Sequence, residues 1–203
     1  SPNVFHKDGY FYLLIASQFG GGYGDTEFRI FYASATSPLG PFVMNPQKPY
    51  INVEPEIGGA PFVDDDGRVY ITTVRFGGGN HVYIQELNAE NGVLSTKREA
   101  VHCISPSEHY EIDEYGRISE GGVILKHGGY YYLLGSGGSC CEGAKSTYHV
   151  VVARSTSLWG PYVNQYGSQA LDNWYKMLME GNSVVKGPGH NSVFVQDDNG
   201  DYW

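Results

Sequence analysis

Val123-Ile124-Leu125-Lys126-His127-Gly128-Gly129-Tyr130-Tyr131-Tyr132-Leu133-Leu134-Gly135 reads as two short apolar runs hinged on a pair of glycines. Glycine takes positive φ at little steric cost, so the segment predicts strands over Val123–Lys126 and Tyr130–Gly135 joined by a tight hairpin. The same signature recurs along the chain as a turn glycine followed three residues later by an aromatic: Gly9 and Tyr12, Gly67 and Tyr70, Gly129 and Tyr132, Gly200 and Trp203. Successive glycines lie 58, 62 and 71 residues apart. A second echo joins Tyr32-Ala33-Ser34-Ala35-Thr36-Ser37-Pro38-Leu39-Gly40-Pro41-Phe42 to Val152-Ala153-Arg154-Ser155-Thr156-Ser157-Leu158-Trp159-Gly160-Pro161-Tyr162. Further strands are expected over Phe11–Ala16, Phe28–Ala33, Val69–Val74, His81–Leu87 and Tyr148–Ala153, with turns at Lys7-Asp8-Gly9, Asp65-Asp66-Gly67 and Asp198-Asn199-Gly200. No long amphipathic helix is in view.

Repeats of this length hold about four strands each, the size of a β-propeller blade, and propellers close with roughly four to eight blades. The expected fold is therefore all-β: a propeller of which residues 1–203 supply about three blades and part of another. On this reading residues 1–203 are part of a single β-propeller domain, truncated at both ends. The competing architecture is a β-sandwich with fortuitous hairpin similarity.

Composition narrows the function. The 203 residues carry 13 Lys+Arg against 22 Asp+Glu, a net charge of −9, with no basic stripe to hold a phosphate backbone. Nucleic acid is not an expected partner. No apolar run approaches the roughly 20 residues needed to span a bilayer. The opening Ser1-Pro2-Asn3-Val4-Phe5 shows no signal peptide, and Cys103, Cys140 and Cys141 make neither a disulfide framework nor a zinc site. Asp64-Asp65-Asp66-Gly67 reads as a hairpin turn rather than a calcium loop, and Gly143-Ala144-Lys145-Ser146 lacks the Gly-Lys pair of a phosphate loop.

In a propeller the innermost strands converge on a central channel, so equivalent positions of successive repeats meet at one site. Nine residues before each anchor glycine stand Gly58, Glu120 and Asn191. Glu120 is thus a carboxylate at the mouth of an innermost strand, among small neighbours that leave room for a ligand. Asn191, level with Glu120, either donates to a ligand or satisfies a turn. Arg75 and Phe76, after a second strand, either line a cleft or pack.

The segments Ser119–Tyr132, Gly138-Ser139-Cys140-Cys141-Glu142-Gly143, Ser146-Thr147-Tyr148 and Gly187-Pro188-Gly189-His190-Asn191-Ser192 together resemble glycoside hydrolase family 43, above all its arabinan-degrading members. The resemblance extends over Phe62–Tyr70 and Val74–Asn80. It implies a five-bladed propeller that cleaves arabinan by inversion, with a β-xylosidase or α-L-arabinofuranosidase, or a non-catalytic carbohydrate-binding propeller, as alternatives. It implies Glu120 as general acid, a sugar cleft that takes in Arg75, Phe76 and Asn191, and His190 as a residue that helps to hold Ca2+ in the channel, mostly through water. No organic cofactor is implied, and oligomeric state is not legible. The implied partners are plant cell-wall polysaccharides, arabinan or arabinoxylan, which place the enzyme outside the cell or in the periplasm. Two departures stand out: Gly58 occupies the place of the aspartate that tunes the acid, and no segment corresponds to the blade that bears the general base. An inactive chain is therefore expected, with Gly58→Asp as the natural repair.

Overall fold

The computed structural model of the protein describes residues 2–18, 27–77, 79–105 and 118–203. They form three antiparallel sheets of strands in chain order. The first is β1 (Asn3–Lys7), β2 (Tyr10–Gln18), β3 (Phe28–Ala35) and β4 (Val43–Met44). The second is β5 (Glu56–Val63), β6 (Val69–Phe76), β7 (Asn80–Glu90) and β8 (Val93–Thr96), with β9 (Val101–Ile104) paired to β7. The third is β10 (Ile118–His127), β11 (Tyr130–Gly137), β12 (His149–Ser155) and β13 (Lys176–Met179). Each is a meander, the unit that propellers repeat. The chain divides into two compact units, Ser1–Phe76 with Tyr83–Val101, and Gly77–Val82 with His102–Trp203.

In the first unit the β1–β2 turn has Asp8 and Gly9 both at positive φ, 49° and 81°. That is the two-residue hairpin whose twist matches its strands, and it sets Lys7 opposite Tyr10. The register turns Tyr12 and Leu14 inward, where they meet Phe5, Ile30 and Tyr32 of their own sheet, Ile51 of the segment after β4, and Val69, Ile71, Leu87 and Leu94 of the second sheet. Each such side chain stabilises by about 1.5–3 kcal/mol on burial. The Tyr12 hydroxyl accepts the Gly92 N–H at 3.2 Å, so this core tyrosine also ties the sheets together. At the β5–β6 turn the Asp64 and Asp66 carboxylates accept the backbone N–H groups of Asp65 and Arg68, which agrees with the hairpin reading.

In the second unit Gly128 and Gly129 close the β10–β11 hairpin, with φ of 56° and 80°. The turn after β12 repeats the one after β3: Gly40 and Gly160 donate to the Ser37 and Ser157 carbonyls at 3.0 Å, with φ of 77° and 83°. The fourth anchor, Gly200, also closes a hairpin, in which Val195 and Trp203 exchange backbone hydrogen bonds. Tyr202 donates to the Lys126 carbonyl at 2.9 Å and rests this hairpin on β10.

The innermost strands carry the repeat further than the sequence does. β5 bulges between Gly58 and Ala60, and β10 between Glu120 and Val123. Gly59 and Gly121, level in the alignment, both have positive φ, 92° and 73°. Gly58 and Glu120 thus stand at matching places immediately before a bulge, but Gly58 takes positive φ, 89°, and Glu120 does not.

Candidate active site

Glu120 lies opposite Ser136 at the start of β10. The β10 bulge at Gly121 brings the chain so close that a Cβ there would approach the Ser136 hydroxyl at 3.0 Å and the His190 Cα at 3.5 Å. Across this gap the His190 N–H donates to Ser136 Oγ at 2.7 Å, and His190 itself adopts φ 57°. Its ring is thereby turned toward Glu120, with Nδ1 3.6 Å from Oε1, a contact looser than a full hydrogen bond.

Tyr148 completes the group. It is buried, and its hydroxyl donates to Glu120 Oε1 at 3.0 Å and stands 3.4 Å from His190 Nδ1. The loop that carries it is tied down: Thr147 N–H donates to the Ser139 carbonyl at 3.1 Å, and Ser146 Oγ to the same carbonyl at 2.7 Å. The segment 187–190 lies directly on this loop, because a Cβ at Gly187 would strike Ser146 and one at Gly189 would overlap the Tyr148 ring.

Electrostatics follow from these contacts. His190 foremost, and then the Tyr148 hydroxyl, hold the Glu120 carboxyl below the usual carboxylate range, against the opposing effect of partial burial. Burial, reinforced by the negative charge on Glu120, pushes the Tyr148 phenol well above its ordinary value, so Tyr148 is a permanent donor. No described residue bonds Glu120 Oε2, and the side chain is 29% exposed. The arrangement anchors one carboxylate oxygen and offers the other.

Asn191 is adjacent, its Nδ2 donating weakly to the Ser192 carbonyl at 3.4 Å while Oδ1 is buried without a hydrogen-bond partner. Among the described residues no group of three His, Cys, Asp or Glu is placed to hold a metal ion. One imidazole and one carboxylate fall short of the six to eight oxygens that calcium takes. Cys140 and Cys141 are exposed free thiols in the same loop.

The other expected residues belong to the first unit. Gly58 faces Thr73 across β5 and β6 with φ 89°. A Cβ would find ordinary contacts there, but an L side chain rarely takes that backbone. Gly58→Asp is therefore no simple repair, because this strand is built around glycine. Arg75 is engaged within the protein: its Nε lies 3.4 Å from Glu56 Oε2 and its guanidinium is 4.9 Å from the Tyr83 ring centre. Phe76 packs 6.4 Å from the Phe28 ring.

Sequence reasoning assigned no role to Tyr148, Ser136 or Glu56. Glu56 is buried, accepts from Asn52 Nδ2 at 3.0 Å, and has its pKa raised by burial despite Arg75. The available signal for Tyr148 was the glycine spacing of Gly187-Pro188-Gly189, which marks a close approach without saying to what.

The profile of glycosyl hydrolases family 43 matches residues 1–203. An extracellular exo-α-(1→5)-L-arabinofuranosidase of Cellvibrio japonicus is 32% identical over 145 residues, which is 70% of this chain and 41% of that protein. An extracellular endo-α-(1→5)-L-arabinanase of Bacillus subtilis is 37% identical over 78 residues, 38% of this chain and 24% of the relative. The chain thus spans less than half the length of either curated relative. Among solved structures, the Cellvibrio cellulosa α-L-arabinanase complexed with arabinohexaose superposes with a TM-score of 0.72 at 26% identity, covering 97% of this chain and 64% of that one.

Proposed function

The chain belongs to glycosyl hydrolase family 43, and from that premise we propose that it is part of an arabinan-cleaving five-bladed propeller with Glu120 as general acid. The observation that carries this reading is the half-open carboxylate, with Oε1 anchored by Tyr148 and Oε2 unbonded by any described residue at a strand mouth. Inversion requires one carboxylic acid to protonate the departing sugar oxygen while a second carboxylate activates water on the opposite face of the ring. Glu120 fits the first role by position. In the free site it is ionised near neutral pH, so it needs a neighbouring negative charge, or exclusion of water by the sugar, to take up its proton. Gly58, where the family's tuning aspartate is expected, supplies no charge. Activity of this chain is therefore low unless another carboxylate faces Glu120.

Asn191, next to His190, is proposed to meet the sugar, whereas Arg75 is engaged with Glu56 and Phe76 with Phe28 in the first unit. The calcium expectation rests on family resemblance at His190. The extracellular names of the relatives support secretion.

A second reading, a sugar-binding propeller without catalysis, is favoured by the glycine-specific backbone at position 58 and the lowered pKa of Glu120. Reducing sugar released from linear arabinan by the longest form of the protein separates the two. Release that disappears in Glu120→Gln supports the hydrolase. No release, with retained binding of arabino-oligosaccharide, supports the binding module.

A further inference from the structure

We propose that Tyr148 is the positioning residue of this site: its hydroxyl holds Oε1 of Glu120, which makes Oε2 the oxygen that gives up the proton, and Gly189 is the seat on which Tyr148 rests. The inference deepens the hydrolase reading and rests on it.

The observations are geometric. Oε1 has the Tyr148 O–H at 3.0 Å and the His190 ring at 3.6 Å, whereas Oε2 has no bond to any described residue. A proton on Oε1 would meet a hydroxyl hydrogen already aimed at that atom, so it resides on Oε2. As the glycosidic bond breaks, its electron pair stays with the departing sugar oxygen, which takes the Oε2 proton. Water closes the anomeric carbon and loses its own proton to the carboxylate base. Glu120 is left ionised, and Tyr148, which keeps its proton throughout, then stabilises the new charge through a charge-assisted hydrogen bond.

The seat is built for this. Gly138, Gly187 and Gly189 each lack a Cβ where Thr147, Ser146 and Tyr148 respectively crowd in. Gly138 and Gly187 also have positive φ, 75° and 62°, which glycine takes at little cost, so three glycines at successive contacts with one loop mark a closely fitted placement. Gly189 is the most direct, because any side chain there must displace the Tyr148 ring and carry its hydroxyl away from Oε1.

The test compares two substrates. Linear arabinan leaves as a poor leaving group that needs the proton; 4-nitrophenyl α-L-arabinofuranoside leaves as a phenolate that hardly does. Tyr148→Phe is expected to lower kcat on arabinan about 10- to 100-fold with KM within about twofold, and to lower the nitrophenyl rate far less. Gly189→Ala should show the same split, and Glu120→Gln a larger one. Equal losses on both substrates, or no loss on arabinan, overturn the proposal. If the unmutated protein cleaves neither substrate, the hydrolase reading has failed, and a crystal structure of Tyr148→Phe then decides the placement alone. A Glu120 carboxyl rotated from its original position supports the positioning role, and one that has not moved refutes it.

Discussion

Arg75 and Glu56 form a pair whose strength can be measured. The carboxylate is 1% exposed and the guanidinium side chain 22%, so removing the cation strands a buried charge. Arg75→Met should cost about 3 kcal/mol in urea unfolding at neutral pH. The pH dependence has a definite sign. Burial already raises the Glu56 pKa, and loss of Arg75 raises it further, so the folded variant prefers the protonated acid. Its stability is fully present below the unfolded pKa and is lost as pH rises through the folded one; the deficit should therefore be larger at pH 8 than at pH 5. Equal deficits would show that the pair is well solvated. At Gly58 the expectation is also specific: φ of 89° makes Gly58→Asp destabilising by roughly 1–2 kcal/mol, and arabinan hydrolysis should not rise. A gain of activity without loss of stability would mean that the strand rebuilds itself around the new side chain. The sequence pointed to both positions, but Arg75 on a strand end reads the same whether it faces a sugar or a buried acid. Only the fold supplied Glu56.

Among the elements, the repeated turn after the third strand of a sheet offers the cleanest test. Gly40 and Gly160 have nearly the same φ, and a Cβ would press on the Phe42 and Tyr162 amides at 2.8 and 3.1 Å. Gly40→Ala and Gly160→Ala should each lower stability by about 1–2 kcal/mol, read as a shift in the urea midpoint, because alanine must strain both backbone and neighbour. The strands read from alternation fall within observed ones, from Phe11–Ala16 in β2 to His81–Leu87 in β7, except that Tyr148–Ala153 starts one residue before β12. The elements missed are instructive. β5 runs Glu-Ile-Gly-Gly-Ala-Pro-Phe-Val, in which two glycines and a proline erase the period of two, although they are what its bulge requires. β1 and β13 are short, and their pairing is dictated by neighbours rather than by their own residues.

For the molecule as a whole, a net charge of −9 and the neutral polysaccharide ligand proposed above predict binding without an electrostatic component. KM for arabinan should change by less than about twofold between 50 and 500 mM salt, since screening acts only on charge pairs. A strong salt dependence would point instead to a charged partner. The all-β class, the fourfold hairpin repeat and the equivalence of Gly58 with Glu120 were determined by sequence alone, because hairpin turns and strand periodicity are local and leave a mark at each position. The Glu120–Tyr148–His190 cluster, the buried Glu56–Arg75 pair and the lowered pKa of Glu120 were decided only by tertiary structure. Each depends on which side chains are brought within 4 Å across many residues of chain, and on how much water is excluded between them; no local pattern records either.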